Sequence, residues 1–228
     1  MCKVLLIKTI VMMGVIALTI DVKDVCKKFD NNLIIDNVSV KFTSGKIYGI
    51  YGRNGTGKSV FLKLICSFYR PTSGEVTIDG IDYNKTTDFP PDLRALIEKP
   101  SFFPDLTGFE NLKMLADIQK KISDEEIYKA LEIVNLIEEK DKKYHKYSLG
   151  MKQKLGIAQV IMENPKIMIL DEPFNGVEEE TVKKLINYFK SIKNEKIIII
   201  CSHIKEDLND ISDKIFHFES GKIENKKK

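Results

Sequence analysis

Arginine is scarce in this 228-residue chain: of 36 basic residues only Arg53, Arg70 and Arg94 carry a guanidinium. Proteins that read base edges lean on that planar fork, so sequence-specific nucleic-acid binding is disfavoured. Net charge is also small. The 36 basic residues meet 33 acidic ones, which leaves +3 and points to no particular partner. Cysteine is sparse and unpatterned: Cys2, Cys26, Cys66 and Cys201 show neither a C-x-x-C metal spacing nor a disulfide framework. They read as reduced thiols of a cytosolic protein. Repeated apolar runs of about 20 residues are missing, which excludes a multi-span membrane protein.

One apolar stretch, Val4–Ile20, is broken by Lys8, Thr9, Gly14 and Thr19, and no A-x-A-like cleavage site follows it. A charge at the centre of a span costs about 2.5–3.5 kcal/mol. Residues 1–16 are therefore read as an extension ahead of the first strand, with Met12 or Met13 as the expected translation start. The 225–228 end is a short basic tail; Lys226–Lys228 is the only low-complexity run.

At 43% hydrophobic and 30% charged residues the composition is that of a globular protein. A chain of this size buries roughly 70% of its unfolded surface and needs no disulfides for its core. Ala17–Val25, Asn37–Phe42, Lys46–Tyr51 and Glu75–Asp79 read as strands, set off by turn residues at Asp30-Asn31-Asn32, Ser44-Gly45 and Asp79-Gly80. A helix is expected from about Gly57 to Ser67. Three- and four-residue apolar steps predict helices over Phe109–Lys120 and Asp124–Ile137, the second opened by a Ser123/Glu126 capping box. Met151–Met162 is a further helix. Ile167–Leu170, Glu178–Ile192 and Lys196–Cys201 then alternate strand, helix, strand. The all-apolar runs Ile167–Leu170 and Ile197–Ile200 are those of strands covered on both faces. The expected fold is α/β: a mixed or parallel sheet core with an antiparallel β segment and an inserted helical block at about 101–164.

Gly52-Arg53-Asn54-Gly55-Thr56-Gly57-Lys58-Ser59 matches G-x-x-x-x-G-K-[ST]. Backbone N–H groups that wrap a phosphate need side chains absent at the tight points, and the next helix N-terminus faces the anion. Lys58 is assigned to the β- and γ-phosphates and Ser59 to Mg²⁺. In Ile167-Met168-Ile169-Leu170-Asp171-Glu172 an apolar strand ends in two carboxylates at the sheet edge where ligands bind. Asp171 is the candidate metal ligand, and Glu172 the group that polarises attacking water.

Tyr147-Ser148-Leu149-Gly150-Met151-Lys152-Gln153 stands ahead of a helix, with Ser148 23 residues before Asp171. With the two preceding motifs, over about residues 17–224, it resembles the ATP-binding cassette (ABC) ATPases. Its form is similar to the signature of ATPase subunits of bacitracin- and antibiotic-efflux-type exporters. The resemblance implies a P-loop ATPase fold with ATP and Mg²⁺ as ligands. It implies that Ser148 and Gly150 close on nucleotide held by a second ATPase subunit in a head-to-tail dimer. A separate transmembrane permease and a position on the cytoplasmic face of the cell membrane are implied as well. Phe29, 23 residues before Gly52, resembles the aromatic that stacks on adenine, and His203 the histidine that senses the γ-phosphate.

Three positions depart from the family pattern. Glu98 stands where a Gln is usual, which implies a carboxylate near Mg²⁺. Val60 replaces a hydroxyl residue and removes one phosphate hydrogen bond, a contact worth about 1.5–3 kcal/mol. Glu178 stands for an Asp in the loop Asn175-Gly176-Val177-Glu178. Ser101-Phe102-Phe103-Pro104 lies where the family meets its permease, with packing or docking both open to the two aromatics. Two other functions compete: a soluble ABC ATPase acting on ribosomes or nucleic acid, and a P-loop kinase or GTPase. The first usually has two cassettes or long coiled-coil inserts, and the second gives Ser148, Gly150 and His203 no task.

Overall fold

The protein is described from a computed structural model covering residues 17–86 and 89–224. The readings of residues 1–16, with the start at Met12 or Met13, and of the 225–228 tail lie outside the described residues. Two sheets share the core. In the smaller one, β1 (Thr19–Phe29) lies between β2 (Asn32–Thr43) and β4 (Ser73–Ile78), antiparallel to both. The larger sheet has the order β5 (Leu93–Leu96), β6 (Ile167–Asp171), β7 (Ile197–Ser202), β3 (Lys46–Tyr51), β8 (Lys214–Glu219), β9 (Lys222–Glu224). Its first five strands are parallel, and β9 returns antiparallel beside β8.

The apolar strand runs divide by the two-residue period of a strand. Ile197, Ile199 and Cys201 of β7 turn to one face, with Ile167 and Ile169 of β6. There they meet the three-stranded sheet and Phe61, Leu62, Leu64 and Ile65 of helix α1 (Lys58–Ile65). Ile198 and Ile200 face the other way, with Met168 and Leu170. That side is covered by α2 (Gly108–Gln119), α3 (Asp124–Ile133), α4 (Leu149–Ile161) and α5 (Glu179–Ile192). A short helix, α6 (Glu206–Asn209), follows β7. Among the described residues no helix is long and apolar enough to cross a membrane. Burial lifts the Cys66 thiol to about 12 and the Cys201 thiol well above its usual range; Cys26 is only half-buried.

Several boundaries differ from the sequence reading. β1 begins at Thr19 and continues to Phe29, and β2 begins at Asn32 instead of Asn37. Register shifts along β1 and a left-handed Asn37 (φ 49°) carry the pairing through Lys27 and Lys28, where apolar alternation fails. α3 stops at Ile133 rather than 137, ahead of a left-handed Asn135 (φ 51°). The Ser123/Glu126 capping box is present, and α2 carries a second one, Thr107 with Glu110. β5, β8 and β9 are additional. β5 has only four residues, one of them Arg94, whose guanidinium pairs with Glu163.

Ile199 sits in a central strand with no exposed surface. Ile199→Ala is expected to lower stability by about 2–5 kcal/mol. Urea unfolding should show a lower midpoint with an unchanged slope.

Candidate active site

The parallel order β6-β7-β3 brings three carboxyl-terminal strand ends to one edge. β3 runs into the glycine loop and α1. Gly57, the N-cap of α1, has φ 105°, a conformation that disfavours any side chain, and a Cβ there would sit 3.1 Å from the Ile34 carbonyl oxygen. Thr56 Oγ1 donates to the Arg53 carbonyl at 2.9 Å, which closes the loop on itself. The next residue, Lys58, is 5% exposed; its Nζ donates to the carbonyls of Gly52 at 2.6 Å and Arg53 at 3.1 Å. Ser59 Oγ donates to Asp171 Oδ2 at 2.6 Å, joining the first turn of α1 to the end of β6.

Asp171 is buried, and burial is the largest of the influences that raise its carboxyl above the ordinary range. The Ser59 hydrogen bond opposes the shift, Glu172 adds to it, Lys58 opposes it and Glu98 adds to it. Glu172 follows at φ 50°, left-handed for a residue with a side chain. Its Oε2 lies 2.8 Å from His203 Nδ1, just past β7. Its Oε1 is buried without a hydrogen-bond partner among the described residues, 3.8 Å from Lys58 Nζ.

These groups line a cavity of about 360 Å³, within the range of small-molecule sites. Asn54, Gly55, Gly57, Lys58, Ser59 and Val60 supply one wall, Asp171 and Glu172 another, and Phe29 and Ile34 a third. Phe29 is partly exposed there, edge-on to Tyr69 at 5.3 Å, with Lys27 Nζ 4.8 Å from its ring centre. Val60 is half-buried and also packs on the core beneath the loop.

The remaining candidates stand elsewhere. Ser148 caps α4, accepting from the Met151 amide at 3.2 Å, and neither Ser148 nor Gly150 lines the cavity. Glu98 is mostly exposed and left-handed (φ 67°), and its Oε1 pairs with Lys63 Nζ at 2.5 Å. That hydrogen bond lifts the Lys63 ammonium above its usual range. Glu178 pairs with Lys154 at 3.2 Å; hydrogen bonds from its own amide and from Lys154 hold its carboxyl below the ordinary range. Phe102 packs edge-on against Tyr144 at 5.3 Å, and Phe103 is the exposed member of that pair.

A glycine loop between strand and helix, a buried lysine and a strand-end carboxylate on the loop serine define a P-loop nucleoside-triphosphatase. Residues 35–175 match the family described as ABC transporter. Among curated relatives, the bacitracin transport ATP-binding protein BcrA of Enterococcus faecalis is 34% identical over 92% of this chain and 70% of its own length. The ABC transporter ATP-binding protein YybJ of Bacillus subtilis is 37% identical over 92% and 96%. The lantibiotic transport ATP-binding protein SrtF of Streptococcus pyogenes is 32% identical over 89% and 87%. The dimeric ATP-binding cassette MJ0796 in a post-hydrolysis state with ADP and Pi shares the fold at TM-score 0.82 and 22% identity, covering 92% of this chain and 98% of that one. The chain belongs to the ABC transporter family and is an ATP-binding, ATP-hydrolysing subunit.

The residues at the end of β6 and the start of α1 fit Mg²⁺. The Ser59 hydroxyl and the Asp171 carboxylate are two hard oxygen donors 2.6 Å apart. Burial disfavours the negative charge on Asp171, which a cation would relieve. Among the described residues no three His, Cys, Asp or Glu side chains converge as a metal cage. The donor set therefore fits a hard cation whose remaining ligands come from phosphate and water. Sequence reasoning passed over Gln153, which donates to the Glu172 carbonyl at 3.0 Å, and Lys63. Lys63 is four residues after Ser59 and so shares its face of α1; the signal was there as a spacing.

Glu98→Gln is expected to raise the Mg²⁺ concentration for half-maximal ATP binding about two- to fivefold, the scale of a partly exposed charge. A Mg²⁺ titration with and without Lys63→Met checks it. An unchanged requirement would leave Glu98 as the partner of Lys63 alone.

Proposed function

We propose that this subunit works as a head-to-tail pair, each copy supplying Ser148 and Gly150 to nucleotide held in the other's glycine loop. It docks on a separate permease at the inner face of the cell membrane and drives export. The observation that carries the chemistry is one cavity lined by Lys58, the Ser59–Asp171 pair and Glu172, whose Oε2 lies 2.8 Å from His203 Nδ1. The transport role is supported by relatives named for bacitracin and lantibiotic transport. Those names favour transport over action on ribosomes or nucleic acid, and peptide antibiotics are the cargo class they suggest.

In this reading Phe29 stacks on adenine and the glycine loop wraps the β-phosphate. Lys58 neutralises charge on the β- and γ-phosphates. Mg²⁺, held by Ser59 and Asp171, supplies further charge neutralisation on the phosphates when bound. Glu172 Oε1, free of hydrogen bonds among the described residues, accepts a proton from water as the water oxygen attacks the γ-phosphorus. The bond from the γ-phosphorus to the β,γ-bridging oxygen breaks, and ADP leaves beside Lys58. His203 holds Oε2 and fixes the direction of the carboxylate. Phe103, exposed at the edge of the helical block, is a contact for the permease.

Removing a general base typically lowers the rate by about 10²–10⁴-fold. Purified wild type should hydrolyse ATP. Glu172→Gln should fall by that factor, retain ATP and accumulate as an ATP-dependent dimer in size-exclusion chromatography. A Glu172→Gln protein that hydrolyses normally, or stays monomeric at saturating ATP, overturns the reading. Phe103→Asp should keep ATPase activity and lose co-purification with the membrane subunit; retained co-purification removes Phe103 from the docking surface.

A further inference from the structure

Helix α4 grips the loop after β6 at three points. A Cβ on Gly150 would lie 2.2 Å from the Gly176 carbonyl oxygen, so the helix rests on that backbone with no room for a side chain. Gln153 Nε2 donates to the Glu172 carbonyl at 3.0 Å, from a side chain that is almost wholly buried. Lys154 Nζ, also buried, reaches Glu178 Oε2 and the Asn135 carbonyl, each at 3.2 Å. The middle contact bears on the chemistry. The Glu172 amide donates to the Cys201 carbonyl at 2.9 Å. Its carbonyl accepts from Gln153 Nε2 at 3.0 Å and, more weakly, from the Asn175 amide at 3.4 Å within the same loop, so Gln153 is what ties it to α4. Held by these three bonds Glu172 keeps φ at 50°, which L residues rarely adopt unless their surroundings fix it. The backbone dihedrals set the direction of the Cα–Cβ bond, and with it the placement of a carboxylate that must meet both His203 and the cavity.

We propose that Gln153 is a positioning residue for Glu172: its amide pins the left-handed backbone from which the carboxylate reaches attacking water. The inference rests on Glu172 being the general base. It also gives α4 a second task. The helix begins at Ser148, and a displacement of its tip is carried five residues along to the base of its own chain. Occupation of one site of the pair is thereby felt at the base of the other.

The test uses the purified full chain, with steady-state ATPase kinetics and, separately, displacement of a fluorescent ATP analogue. Gln153→Met keeps the volume and removes the donor. It is expected to lower kcat at least tenfold while ATP affinity stays within twofold, and to add no further loss in the Glu172→Gln background. A kcat within twofold of wild type, beside a Glu172→Gln that is inactive, overturns the positioning role and leaves the base intact. Parallel losses of kcat and affinity overturn it in favour of a purely structural brace. An active Glu172→Gln overturns the base assignment, and this inference with it. Gln153→Glu gives a second readout should the Met variant not fold. A buried carboxyl facing a carbonyl donates only while protonated, so its rate relative to wild type is expected to fall as pH rises. A ratio flat with pH overturns the proposal.

Discussion

The parallel pairing of β6, β7 and β3 is the constraint on which the rest depends. In-register pairs such as Asp171 with Cys201, and Ile50 with Cys201, set three strand ends level. Any residue one step beyond those ends arrives at the same edge. The glycine loop, Glu172 and His203 are those residues, drawn from positions 52, 172 and 203. Packing of both faces of these strands against the two cores holds that alignment. The geometry of the phosphate site is in this sense a by-product of core packing.

Charge within the site is unevenly screened. Asp171 and Glu172 are neighbours in sequence and both lie close to the buried Lys58, yet they have different hydrogen-bond environments. Asp171 is tied to the Ser59 hydroxyl. Glu172 has one oxygen held by an imidazole and one left open. Two adjacent carboxylates thus have different surroundings, set by their partners, as paired acids do in other hydrolases.

Much of this was legible in the residues. Gly52–Ser59 and Asp171-Glu172 announced themselves because each chemical demand fixes residue type and spacing together. The apolar strands followed from runs such as Ile197–Ile200. What stayed hidden was of another kind. β5 hides behind Arg94, whose charge is answered by Glu163, 69 residues away. The bulged ends of β1 and β2 hide because left-handed turns at Asp24 and Asn37 break the two-residue period. Gln153 and Lys63 look like ordinary helix surface until tertiary packing brings Glu172 and Glu98 against them.

The thiols of the sheet face carry a practical corollary. Cys66 and Cys201 are sealed within the core and hold their protons at neutral pH, and a protonated sulfur is a poor nucleophile. Cys26, on the antiparallel sheet, has Sγ accepting the Asn37 amide at 3.3 Å and retains access to solvent. Among the described residues a maleimide dye therefore finds one address. It lies three residues from the aromatic at the mouth of the nucleotide cavity, a natural post for an optical reporter of ligand entry.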